Sequence, residues 1–165
     1  LAAKTGEVIG VSDWFEISQD RINKFAEATG DFQFIHVDEE KAKHTPFGGT
    51  IAHGFLTLSL LPVLGAMTSG ARVDGIKMGV NYGGNKTRFI SPVRAGKRVR
   101  AHTKLLELVE KRPGQWQQTN EITIEIEGED KPALICEWIT LFYVCSTTSP
   151  GVTASRSNQG ISHVP

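Results

Sequence analysis

The hydrophobic pattern of the chain changes period near Gly70. Before it, apolar residues recur at helical spacing; after it, they alternate with polar ones. Ile22, Phe25, Ala26 and Thr29 fall on one face of a helix predicted over Gln19–Thr29. Ser18 can cap its start, Asp20 suits the positive end of its dipole, and Gly30 can end it in a left-handed turn. Residues 14–17 read as a short strand leading in. Asp31 to His36 reads as a short non-helical segment, and Asp38 can cap a brief helix over 39–43. Pro46, Gly48 and Gly49 make 45–49 a loop. Residues 50–67 then form a second, longer helix that is apolar nearly all round, so protein must surround it.

Past Gly70 the pattern predicts strands over 76–82 and 86–93, parted by Gly83-Gly84, and over 98–110, 115–127 and 133–144. In the third of these, Val99, Ala101, Thr103 and Leu105 oppose Arg98, Arg100, His102 and Lys104. In the fourth, Trp116, Ile122, Ile124 and Ile126 oppose Glu121, Thr123, Glu125 and Glu127. The last is apolar on both faces, as a central strand is. Long antiparallel strands with one polar face need a cover for the other, and the 50–67 helix is apolar enough to provide it. The expected class is α+β: one domain over residues 1–145, a curved antiparallel sheet wrapped around one buried helix, followed by a Ser/Thr/Gly-rich tail over 146–165.

A length of 165 residues, 39% hydrophobic and 22% charged, suits one soluble globular domain. Lys+Arg and Asp+Glu both number 18, which disfavours a protein built to grip nucleic acid or an anionic membrane. The apolar stretch 51–67 is short for a membrane span and carries His53. Cys136 and Cys145 read as reduced thiols. With no basic stretch and apolar core at the start, the expected location is cytoplasmic.

Two segments carry candidate chemistry. In Asp31-Phe-Gln-Phe-Ile-His36 apolar residues alternate with polar ones, so the apolar members can pin the segment while Asp31 and His36 face one cleft. A carboxylate beside an imidazole is what activation of water requires. In Pro46-Phe-Gly-Gly-Thr-Ile-Ala-His-Gly-Phe-Leu-Thr-Leu-Ser59 the glycines allow close backbone approach to a ligand, and a helix start offers free N–H groups to a developing oxyanion. His53, Thr57 and Ser59 are the hydrogen-bonding side chains of 51–59, and each must find a partner in an apolar helix. His36, His44 and His53 lie eight and nine residues apart with no tight two-ligand pair, so no metal site is expected.

Together these two segments resemble the motifs of the MaoC-like dehydratases, the R-specific enoyl-CoA hydratases. The similarity extends through Asn81-Tyr-Gly-Gly-Asn-Lys-Thr-Arg-Phe89 and covers roughly residues 14–144. The resemblance implies a hot-dog fold, pairing into dimers or dimers of higher order, and hydration of trans-2-enoyl-CoA to (3R)-3-hydroxyacyl-CoA, or the reverse, without metal or cofactor. It places the catalytic pair at Asp31 and His36, an orienting serine at Ser59 and an oxyanion donor at the backbone N–H near Gly54. It gives Gln33, Phe47, Gly48, Gly49 and His53 to substrate positioning, along with Asn81, Lys86 and Arg88. Arg94 and Lys97 are further candidates for the phosphates of CoA, and Asn85 for a bond near the site.

Two other readings share this thioester ligand. A hot-dog acyl-CoA thioesterase would direct water to the carbonyl carbon, but calls for a carboxylate on the buried helix rather than an Asp31/His36 pair on the loop before it. A non-catalytic acyl-thioester binding subunit would have no use for a proton-transfer pair.

Overall fold

The computed structural model describes residues 1–70 and 73–144; Cys145 and the 146–165 tail lie outside the described residues. After a single 3₁₀ turn at Ala2–Lys4, the elements are β1 (Val8–Ser12), β2 (Phe15–Glu16), α1 (Gln19–Thr29), α2 (Phe34–Val37), α3 (Glu39–Ala42), α4 (Gly54–Ser59), α5 (Leu61–Met67), β3 (Thr68–Gly70), β4 (Ile76–Phe89), β5 (Arg98–Arg112), β6 (Gln115–Ile126) and β7 (Leu134–Val144). The strands form one antiparallel sheet in the order β3-β1-β5-β6-β7-β4, with β2 also pairing with β5. Leu56, Leu60, Leu61 and Leu64 from the α4–α5 pair pack against Val99, Ile122, Ile124 and Leu134 of the inner face. This is the hot-dog arrangement.

The first helix forms as its local chemistry dictates. Ser18 accepts the N–H of Arg21, and Gly30 ends the helix at φ 77°, a conformation that favours glycine.

Three elements depart from the pattern-based reading. The segment expected to be one helix over 50–67 begins only at Gly54 and breaks at Leu60. Upstream of Gly54 the backbone is drawn into strand-like bonds: Ala52 N–H donates to Val93 O at 2.7 Å and Ala95 N–H to Thr50 O at 3.0 Å. At the break, Pro62 sits in the first turn of α5, where its missing N–H is tolerated. Nor is the helix surrounded on all sides, since Phe55 is 67% exposed and Val63 37%. Second, the two strands expected over 76–82 and 86–93 are one strand, β4. Gly83 and Gly84 stay paired with Ile139 and Trp138, and positive φ falls instead at Lys86, within a register shift between Asn85 and Arg88. Third, Phe34–Val37 makes a single helical turn where a non-helical segment was expected, closed by Asp38 N–H to Phe34 O.

Among the described residues no helix is long and apolar enough to cross a membrane. Cys136 is a buried free thiol whose pKa burial pushes up to about 11, so it is an inert core group.

Candidate active site

The left-handed turn at Gly30 releases the chain into Asp31, and the turn α2 brings His36 back toward it. The Asp31 carboxylate is exposed and accepts the Gln33 N–H at 3.4 Å. His36 is buried, 6% exposed, with Nδ1 2.7 Å from Ile51 O. A carbonyl can only accept, so Nδ1 carries the proton and Nε2 carries the lone pair. Burial is the main cause that lowers the His36 pKa below 6.5; the bond to Ile51 and the Asp31 charge oppose it, while His53 adds to it. His36 is therefore neutral at pH 7, with Nε2 ready to accept a proton.

His53 is the third member of the group. Its ring stacks on that of His36 with centroids 3.8 Å apart, and Nε2 donates to the Asp31 carbonyl at 2.9 Å. Ring nitrogens of both histidines and a carboxylate oxygen of Asp31 lie within 4.8 Å of one another. His44 is not part of this group.

The backbone of His36 is fixed from a second direction. Gln19 Nε2 donates to His36 O at 2.7 Å, and Gln19 Oε1 accepts the Thr50 hydroxyl at 2.5 Å. Neither Gln19 nor Thr50 stood out in the sequence: a glutamine opening a helix looks like solvent-facing polarity, and its partners are 17 and 31 residues away.

His36 opens onto a cleft of about 410 Å³ walled by Phe47, Gly54, Phe55, Thr57 and Phe89. Gly54 begins α4, whose first N–H groups have no acceptor within the helix. A Cβ at Gly54 would lie 2.9 Å from the Phe89 ring, so glycine is what lets Phe89 close the wall. Phe55 meets Phe89 edge to face at 5.6 Å. Both aromatics stand inside the segments that carry the resemblance, which assigns them no role; they are 67% and 48% exposed.

The structure thus sets His36, Phe47 and Gly54 on one cleft and brings Asp31 and His53 beside His36, with the Gln33 N–H holding the turn after Asp31. Other sequence-predicted residues sit elsewhere. Ser59 donates to Phe55 O, one turn back along its own helix, and lines a separate cavity with Asn81, whose amide oxygen accepts the Trp138 indole N–H at 2.8 Å. Ser59 therefore makes no bond to the pair. Gly48 and Gly49 pack on Arg94, whose guanidinium donates to Gly48 O at 2.7 Å. Lys86 is tied to Glu137 at 2.5 Å, Arg88 donates to Thr87 O, and Lys97 pairs with Glu129 at 3.2 Å. None of these cations lines the His36 cleft. Lys86 meets a carboxylate across the strands, and Arg88, Arg94 and Lys97 are taken up by nearby carbonyls or a carboxylate.

A hot-dog sheet carries a carboxylate and a neutral imidazole close to the start of its central helix. Residues 1–129 match the family model described as "MaoC like domain". The chain is 49% identical over 142 residues to "3-hydroxyacyl-thioester dehydratase Z" of Mycobacterium tuberculosis, covering 86% of this chain and 93% of that protein. It is 45% identical to "Nodulation protein N" of Rhizobium leguminosarum bv. viciae, covering 86% and 88% respectively. Among solved structures it is similar to the "(R)-hydratase from A. caviae involved in PHA biosynthesis", with a TM-score of 0.66, 26% identity, and coverage of 81% and 95%. The chain belongs to the MaoC-like dehydratase family, and with it to the hydro-lyases.

Proposed function

We propose that the protein catalyses reversible hydration of 2-enoyl-CoA thioesters to (3R)-3-hydroxyacyl-CoA, with Asp31 and His36 as the proton-transfer pair. What supports this is His36: its Nδ1–H is committed to Ile51 O, which leaves the Nε2 lone pair free, and a ring nitrogen lies within 4.8 Å of an Asp31 carboxylate oxygen. Two acceptors side by side hold one water by both its O–H groups. As the water oxygen bonds to the β carbon, one proton passes to the pair and the C=C electrons shift toward the thioester oxygen. The N–H groups at the start of α4, near Gly54, stabilise that enolate. The proton returns from the pair to the α carbon, so the sum is addition of one water. His53 holds Asp31 through its carbonyl, and Phe47, Phe55 and Phe89 give the cleft an apolar wall for the acyl group.

The test is a hydration assay on crotonyl-CoA with chiral analysis of the product. Loss of enoyl absorbance with R product supports the proposal; release of free CoA thiol without hydration would make the protein a thioesterase instead.

The reading includes a second copy of the chain. β4 is an edge strand with Ile76, Met78, Val80 and Tyr82 exposed at 40–64% along one face, and a long apolar edge in solution invites pairing. Light scattering should give a dimer or a multiple of it, and Val80→Lys should shift the mass toward monomer. A wild-type monomer would sink this part.

A further inference from the structure

The inner face of the sheet changes chemistry along its strands. Ile122, Ile124 and Ile126 of β6 pack under the helices, but the next inward positions are Asn120 and Gln118, both buried. Beside them on β5 and β7 lie Thr103 and Thr140, also buried. These four polar side chains line a cavity of about 380 Å³ at the C-terminal end of α5, with Trp138 and Phe142 among its apolar walls. Gln118 Nε2 donates to Asn120 Oδ1 at 2.8 Å, which leaves Gln118 an acceptor and Asn120 a donor to offer. Thr140 is 7% exposed and its hydroxyl has no partner among the described residues. Among the described residues no charged side chain lines this cavity.

Two further cavities lie along the same helix pair and strand: the His36 cleft, and a separate one that shares no lining residue with it. The His36 cleft is walled by Thr57 on α4 and reaches Ala133 just before β7. The next cavity, about 360 Å³, takes up at Leu58 and Ser59 on the helix and at Cys136 and Trp138 on the strand. It shares Pro62 and Trp138 with the polar-floored cavity, which runs on to Thr140. From Ala133 to Thr140 an extended strand covers about 23 Å. The three cavities follow one another between one helix pair and one strand, adjoining at Thr57 and Leu58 on the helix, and an acyl chain that joins them would lead from His36 to the polar floor.

We infer that the far cavity receives the distal end of a long acyl chain bearing a neutral oxygen group, a hydroxyl or a ketone, near its tip. The inference rests on the functional proposal above for the placement of the thioester at His36. A plain alkyl tip gains nothing from Gln118, Asn120 and Thr140, because it leaves them buried and without new partners. A carboxylate tip would find no cationic side chain among the described residues of the cavity. A hydroxyl or ketone can bond to the Asn120 amide N–H or the Thr140 hydroxyl while its chain packs on Trp138 and Phe142.

The test compares binding of saturated, non-reacting acyl-CoA thioesters to the full chain by titration calorimetry. Plain chains are set against their ω-hydroxy counterparts over a series of lengths. At the length that reaches the floor, the hydroxylated ligand should bind about tenfold more tightly. Thr140→Val and Asn120→Leu should each erase that preference, with the plain chain binding at least as tightly as it does to the wild type. Equal or weaker binding of the hydroxylated ligand at every length would overturn the inference, because an apolar pocket penalises a terminal hydroxyl. Hydration of crotonyl-CoA by the same preparations reads the functional proposal separately: its absence sinks that proposal, while the binding comparison still decides this one.

Discussion

At the start of α4, His36, Gln19 and Thr50 are tied to one another and to the carbonyl of Ile51. At the end of α5, Thr140 carries a buried hydroxyl with no partner among the described residues, beside a Gln118–Asn120 pair that satisfies only half of each amide. Between the two ends the same inner face is aliphatic. A proton-transfer group must be held in one tautomer and one position, which takes several bonds from different elements. A surface that receives a ligand must keep some bonds unmade. Even the orphaned atom at the active-site end, Nδ1 of His53, belongs to a ring fixed by Asp31 on one side and stacked on His36 on the other.

The comparison breaks hardest at the pair itself. Asp31→Asn keeps an oxygen for the Gln33 N–H and a similar shape, so the turn should survive. Loss of the carboxylate should lower kcat/KM for crotonyl-CoA by about 10²–10⁴-fold with an unchanged circular dichroism spectrum. Near-normal turnover would remove Asp31 from the chemistry. In the aliphatic middle the expected effect is on stability. Ile124 is fully buried among Val99, Leu134 and the helices, and Ile124→Ala should cost about 2–5 kcal/mol in denaturant unfolding. A cost well below that would mean the middle of the inner face is not the close-packed spacer between the two ends.

A smaller effect, graded by pH, sharpens the view of the His36 end. Burial holds the native His36 pKa below 6.5, so the neutral imidazole persists to lower pH than in an unfolded chain. The acid limb of kcat/KM should therefore have its midpoint below pH 6.5, with no decline from this group above it. For stability the sign runs the same way. Below pH 6.5 the unfolded chain binds this proton while the native one does not, so His36's contribution is complete above 6.5 and lost as pH falls toward the native pKa. His36→Gln should flatten that part of the stability profile. An acid limb with its midpoint above 6.5 would contradict the buried, neutral imidazole.

What the sequence made legible was local, and what it hid was settled by contact between distant residues. Ser18, Gly30 and the Ile22–Ala26 spacing act within one helix, and that helix formed as read. The long helix over 50–67 was not foreseeable as a split pair, because Val93 and Arg94, some forty residues on, pull the backbone at Ile51 and Ala52 into strand bonds. β4 ran through Gly83-Gly84 because β7 supplied partners where a turn was read. At the site, the motif order pointed to Asp31 and His36. Gln19 and Thr50 gave no signal, since their roles exist only once α1 packs beside α2. The polar floor is different: Gln118 and Asn120 share the parity of Ile122, Ile124 and Ile126, so period two alone places them inward.

That parity makes the smallest predicted effect the most telling about the far end. Thr140→Val exchanges a buried, unpartnered hydroxyl for a methyl of nearly the same shape. Burying a hydroxyl without a partner costs roughly 1–3 kcal/mol, so its removal should stabilise the protein by about 1 kcal/mol and raise Tm by about 2–4 °C in a chain of this size. An unchanged or lower Tm would mean that ordered water already satisfies the hydroxyl. A gain in Tm would show that the wild-type chain keeps a destabilising polar group on its inner face, and a residue that lowers stability at a buried position is retained most readily where it serves binding. The inner face would then be built to two standards: bonds completed where a proton moves, and bonds left open where a chain end arrives.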